Sequence, residues 1–131
     1  MNAFLVDLEN KPGALASVAE ALAAKSVNIT GVAGATCGDS GRAAITTSDP
    51  ATTRQVLESI KAGFKELEVT DVSLANQPGS LGMATRRLAE AGVNIEAIFP
   101  TGMAGTDITV AFVTDNPSKA REVLATAAAT R

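Results

Sequence analysis

A chain of 131 residues with 46% hydrophobic residues can bury about two-thirds of its unfolded surface and reads as a soluble globular protein. Its formal charge of −3 includes no basic run, since Arg86-Arg87 sits inside a helical pattern, and this argues against nucleic-acid binding. With no histidine and a single cysteine, Cys37, the chain has no intramolecular disulfide, no His/Cys zinc site and no Ser-His or Cys-His nucleophile pair.

The first residues, Met1 to Asp7, lack a basic region, and no apolar run approaches the roughly 18 residues of a membrane span. A cytoplasmic protein without a membrane segment is expected. Phe4, Val6 and Leu8 alternate with residues that include Asp7, the period of a strand with one buried face. After Glu9-Asn10, Pro12 suits the first helical position, and Leu15, Val18, Ala19 and Leu22 follow the spacing of an amphipathic helix. The chain returns as a β-branched segment, Val27 to Val32, crosses the Gly34 to Gly41 region and comes back through Ala43 to Thr47. This pattern predicts a hairpin turning at Asp39-Ser40-Gly41. Asp49 is a helix cap before Pro50, and Thr53, Val56, Leu57 and Ile60 form the stripe of a second helix.

The same order then repeats. Asn10-Lys11-Pro12-Gly13-Ala14-Leu15 is answered by Asn76-Gln77-Pro78-Gly79-Ser80-Leu81, and Val27-Asn28-Ile29 by Val93-Asn94-Ile95, each 66 residues later. Asp115-Asn116-Pro117 answers Asp49-Pro50 with one residue inserted. Leu81, Ala84 and Leu88 mark the third helix, and Ala120, Val123, Leu124 and Ala127 the fourth. Strands are expected from Asn94 to Phe99 and from Asp107 to Thr114, joined through Gly102 and Gly105. The two modules are placed at 1–69 and 70–131. Between them, Leu67 and Val69 alternate in one phase while Val72 and Leu74 alternate in the other, so Lys65 to Ala75 reads as one bulged strand or as two strands run together.

Carboxylates are scattered, and Asp39, Asp49, Asp107 and Asp115 fall at turns or caps, so no catalytic residues and no metal site are predicted. Binding chemistry is offered instead by the duplicated turn. Unpaired N–H groups near Gly13, Ala14 and Leu15, and near Gly79, Ser80 and Leu81, suit a carboxylate at the positive end of a helix. Asn10 and Asn76 offer amide oxygens to an ammonium group. Asn28 and Asn94 would join them if the two ends of the repeat lie together. The competing explanation is that Pro and Gly only shape the turn while the asparagines satisfy backbone groups.

The run Leu8-Glu9-Asn10-Lys11-Pro12-Gly13-Ala14-Leu15, an amphipathic helix and Val27-Asn28-Ile29 together resemble the ACT domain, and the second copy resembles it equally from Leu74 to Ile95. The resemblance covers nearly the whole chain. It implies an α+β fold of two tandem ferredoxin-like (βαββαβ) ACT modules sharing an antiparallel sheet with helices on one face, similar to small stand-alone tandem-ACT proteins. It also implies a non-catalytic regulatory protein, without a cofactor, that binds an amino acid or similar small effector and regulates an attached or associated metabolic enzyme. In serine-sensing members two asparagines contact the effector, and the matching positions are Asn10 and Asn28, repeated as Asn76 and Asn94. A histidine of those members is Leu8 or Leu74 here, a departure from the serine-sensing pattern. No closing strand follows the fourth helix pattern, so the open edge is expected to pair in a homodimer or to be covered by the first strand. The alternative function is a regulatory subunit that acts through protein contacts without a ligand of its own.

Overall fold

The computed structural model describes residues 2–129, the last four through their backbone only, so the expected burial of Ala127 lies outside the described residues. Its elements are β1 (Asn2–Glu9), α1 (Ala14–Ala23), β2 (Ile29–Cys37), β3 (Ser40–Thr47), α2 (Pro50–Ser59), β4 (Phe64–Ala75), α3 (Ser80–Glu90), β5 (Ile95–Ala104), β6 (Asp107–Thr114) and α4 (Pro117–Ala129). Internal contacts divide the chain into two units, Asn2–Leu67 and the part from Glu68 onward, with the division falling inside β4. The stretch read as one bulged strand or two is thus one strand, and its pairing with β6 runs without a register shift. Its change of phase has a simple cause. Val69 and Thr70, on opposite faces, are 7% and 6% exposed, so both sides of the strand are buried at that point.

In the first unit β3 pairs antiparallel with both β1 and β2. Phe4, Val6, Ala43 and Ile45 share one face by register, and Val18 and Leu22 of α1 pack on it with Val56 and Leu57 of α2. Phe64 joins at the margin, its ring centroid 6.0 Å from that of Phe4 in a tilted arrangement. In the second unit β6 pairs with β4 and β5, and Val72, Leu74, Val110 and Phe112 meet Ala84, Leu88, Ala120 and Leu124. Each unit is thus an antiparallel sheet with two helices on one face, the α+β arrangement that the sequence pattern predicts.

Several local expectations change. The Gly34 to Gly41 region is strand rather than loop, and the hairpin turns at Gly38-Asp39, where Gly38 has φ 64°. Pro12 does not open α1, because Gly13 adopts a left-handed conformation (φ 88°) and the helix begins one residue later. Gly79 does the same before α3 (φ 93°). Leu15 and Leu81 are 47% and 51% exposed, outside the buried stripes, and Ile60 caps α2 at 41% exposure. By contrast Pro50 does begin α2, with the Thr52 N–H donating to Asp49 at 3.1 Å. Asn116, not Asp115, caps α4 by accepting from the Lys119 N–H at 3.1 Å.

The register locates the inserted residue. Both β2 and β5 carry an irregularity at their start, between Ile29 and Gly31 and between Ile95 and Ala97, but only β5 carries a second, between Pro100 and Gly102. Thr101 is therefore the extra residue of the second copy, held in a bulge with its hydroxyl 3.0 Å from the Thr109 hydroxyl. Pro100 is tolerated there because β5 is the outer strand of its unit and needs no donor on that side.

Two differences between the copies give tests of stability. The buried hydroxyls of Thr47 and Thr53 lie 2.7 Å apart, whereas in the second copy Ala120 stands where Thr53 would be, leaving the buried Thr114 hydroxyl without a partner among the described residues. Thr114→Val is expected to raise stability by about 1 kcal/mol, and Thr47→Val to lower it by about 1 kcal/mol, in urea unfolding. A greater loss for Thr114→Val would contradict this assignment. Likewise, Arg54 on α2 reaches Glu66 on β4 with contacts of 2.6 and 2.8 Å, and Asn2 Nδ2 donates to the same carboxylate at 2.7 Å. In the second copy Arg121 on α4 meets Glu68. The bonds from Arg54 and Asn2 hold the Glu66 carboxyl below its ordinary 4.5. Because the folded value is the lower one, this stabilisation is present above about pH 4.5 and lost as the pH falls through the folded value. Glu66→Gln is expected to flatten the fall in unfolding free energy between neutral pH and the acid range. An unchanged acid profile would count against it.

Candidate functional site

Each duplicated turn feeds a helix that keeps open N–H groups in its first turn. The N–H of Met83 is bonded to Gly79 O at 2.9 Å and that of Ser17 to Gly13 O at 2.9 Å, while the Ser80 and Ala14 N–H groups donate back to Gln77 O and Lys11 O at 3.4 Å. The N–H groups left open among the described residues are therefore those of Leu81 and Gly82 in α3 and of Leu15 and Ala16 in α1. Among the described residues no side chain caps either helix, in contrast to α2 and α4. The two turns nevertheless differ in what surrounds them.

In the first copy Asn10 is committed to the hairpin. Its Nδ2 donates to Gly38 O at 2.8 Å and its backbone N–H to Asp39 O at 3.1 Å. Lys11 pairs with Glu9 at 2.9 Å in the same turn. A hollow of about 510 Å³ nearby is lined by Asp7, Glu9, Asp39 and Arg42, and it does not include Asn10, Gly13, Ala14 or Leu15. Arg42 and Asp7 neutralise each other across it at 3.1 Å.

In the second copy the turn opens on a cavity of about 380 Å³ in which Asn76, Ser80 and Leu81 meet Leu74, Ile98, Pro100, Ile108 and Val110. The Asn76 amide has no hydrogen-bond partner among the described residues, and the same holds for the Ser80 hydroxyl. Among the described residues no charged side chain lines this cavity. The polar residues Asn76, Gln77 and Ser80 therefore gather at one end, beside the start of α3, and the remaining walls are apolar, mostly aliphatic with Phe99 among them. Pro100 belongs to the Thr101 bulge, a feature able to re-aim a strand beside a site. Gly79 is not on the cavity wall; its left-handed backbone serves to turn the chain into α3.

Asn28 and Asn94 lie elsewhere in their modules. The register levels Ala75, Ala104 and Asp107 at one end of the second sheet and Ile95 and Thr114 at the other, and the first sheet has the same layout. With β5 spanning ten residues, Asn94 is on the order of 30 Å along the strands from the Asn76 turn. Both asparagines act through their backbone. The Asn28 N–H donates to Ser48 Oγ at 3.0 Å, and the Asn94 N–H to Asp115 Oδ1 at 2.9 Å. Thus Asn76, Ser80 and Leu81 come together around the cavity, and Asn94 does not join them within the module. The aliphatic walls supplied by β5 and β6 escaped sequence reasoning because alternation marks those residues as core, and only the unfilled space beside them distinguishes the site.

Among the described residues no group of His, Cys, Asp and Glu could hold a metal ion, and no helix is long and apolar enough to cross a membrane. The chain belongs to the ACT domain pair family, which matches residues 1–129. Its structure is similar to that of protein BT0572 from Bacteroides thetaiotaomicron, with 28% identity, a TM-score of 0.81 and coverage of 95% of this chain and 86% of that one. The fold is also that of the ligand-free regulatory subunit of aspartate kinase from Thermus thermophilus, at 20% identity and a TM-score of 0.65 over 96% of this chain and 90% of that one. Comparison with proteins of curated function gave no match.

Proposed function

We propose that this chain is a non-catalytic regulatory protein of the cytoplasm whose second ACT module binds an amino-acid effector between the N-terminus of α3 and β5. The observation that carries the reading is the cavity of about 380 Å³, with the unpartnered Asn76 amide and Ser80 hydroxyl beside an uncapped helix end. The carboxylate of the effector lies on the open N–H groups of α3, where the helix dipole favours negative charge, and its ammonium lies near the Asn76 amide oxygen. The similar fold of an aspartate kinase regulatory subunit supports a role in regulating an enzyme.

Thermal unfolding in the presence of each of the twenty common amino acids tests this. A ligand at a hundred times its dissociation constant stabilises the folded state by about 2.7 kcal/mol, which raises the midpoint by several degrees. A midpoint unmoved by every amino acid at millimolar concentration would contradict the reading. A second reading, action through protein contacts alone, is favoured by the outer strand β5, along which Ile98 is 37% and Met103 59% exposed. Sedimentation would then show a ligand-independent dimer whose association weakens in Met103→Lys.

A further inference from the structure

We propose that the second-module cavity selects an amino acid with an uncharged, apolar side chain of branched-aliphatic or aromatic size. The inference rests on the effector reading and adds what that reading leaves open, the chemistry of the side chain. It follows from how polarity is distributed around the cavity. Leu74, Ile98, Pro100, Ile108 and Val110 supply aliphatic surface from three adjacent strands, while Asn76 and Ser80 stand together at the helix end. A ligand that places its carboxylate on α3 must extend its side chain along β5 and β6. There it meets no charged group among the described residues, so a lysine or aspartate side chain would be desolvated without a counter-ion. A volume of about 380 Å³ lies at the small end of ligand pockets and accommodates one amino acid.

The first copy supports the same argument by contrast. Its turn is closed by the Asn10 bond to Gly38 O and by the Lys11–Glu9 pair, and its nearby hollow is lined by charged residues. The extra residue Thr101 bends β5 beside the cavity only in the second copy. One apolar ligand per chain is the consequence.

Isothermal titration of the full chain with L-leucine, L-phenylalanine, L-alanine, L-aspartate and L-lysine decides the matter. The expected result is one site per chain, with L-leucine or L-phenylalanine bound on the order of ten- to fifty-fold more tightly than L-alanine, as burial of the additional methylene groups requires. L-aspartate and L-lysine should give no heat of binding. Ile98, at 37% exposure, tolerates a polar replacement without loss of fold, and Ile98→Lys should weaken the apolar ligand by roughly tenfold or more. Binding of L-aspartate or L-lysine as tight as that of L-leucine, and weakened by Asn76→Ala, would overturn this inference while leaving the effector reading standing. L-leucine binding unaffected by Ile98→Lys in a folded variant would overturn it as well. Silence from all five ligands would overturn this inference, and the effector reading falls with it only if the other common amino acids also leave the unfolding midpoint unmoved.

Discussion

Phe112→Ala is expected to destabilise the protein by about 3–5 kcal/mol, a large part of the 5–15 kcal/mol typical of a folded domain. Phe112 is fully buried on β6 and lies in the cluster formed by Leu74, Leu88, Val110 and Leu124, which joins both helices of the second unit to its sheet. Phe99 is also fully buried but lies outside that cluster, so Phe112 is the one aromatic side chain within it. Truncation leaves a cavity that short aliphatic neighbours cannot refill without moving the helices. Urea unfolding followed by circular dichroism measures the loss. A change below about 1 kcal/mol would mean that this cluster is not what holds the second unit together. Leu57→Ala in the first unit, fully buried in the corresponding cluster, should cost about 2–5 kcal/mol by the same argument.

Asn76→Ala is expected to weaken effector binding by about ten- to a hundred-fold, the equivalent of roughly 1.5–3 kcal/mol for a hydrogen bond to a charged group. Stability without ligand should hardly change, since the Asn76 amide has no protein partner to lose among the described residues. Asn10→Ala should do the reverse. It removes the bond to Gly38 O and costs about 0.5–1.5 kcal/mol of stability while leaving binding intact. Asn94→Ala, at the far end of the strands, should leave affinity unchanged. Titration calorimetry and urea unfolding of the three variants separate these effects, and equal loss of affinity in Asn10→Ala and Asn76→Ala would mean that both turns bind.

Much of the architecture was legible because the duplication states it twice. The alternation of Phe4 and Val6 marks the face of β1 that meets the helices, and the spacing of Val18 with Leu22 the buried face of α1. However, β1 does not bury one face alone, since Ala3 and Leu5 on its other side are buried too. Helix starts were less legible. A Pro-Gly pair reads equally well as a proline in the first turn or as a left-handed glycine before it, and only the φ of Gly13 and Gly79 separates them. Leu15 and Leu81 satisfy the helical period, but the period does not say how far the sheet extends beneath the first turn. Both remain exposed, and Leu81 borders the cavity instead of filling it. The offset of the repeats revealed that a residue had been inserted, but matching Asp49-Pro50 to Asp115-Asn116-Pro117 put it beside Asn116, the residue that in fact caps α4 as Asp49 caps α2. Strand pairing assigns the insertion to Thr101, beside the cavity. Asn28 and Asn94 repeat as faithfully as Asn10 and Asn76, but their bonds at the start of β2 and β5 come from the backbone N–H, which any residue except proline could supply, so nothing in the structure explains why both are asparagine.

The central claim is that a small effector occupies the cavity between the start of α3 and β5. Titrating the ¹⁵N-labelled protein with L-leucine and following amide resonances locates the site directly. The account predicts saturable shifts in the backbone amides of Ser80, Leu81 and Gly82 and in the Asn76 side-chain amide, with those of Ala14, Leu15 and Asn10 unmoved. Shifts centred on the first turn, or on residues remote from both turns while Ser80 to Gly82 stay fixed, would contradict it.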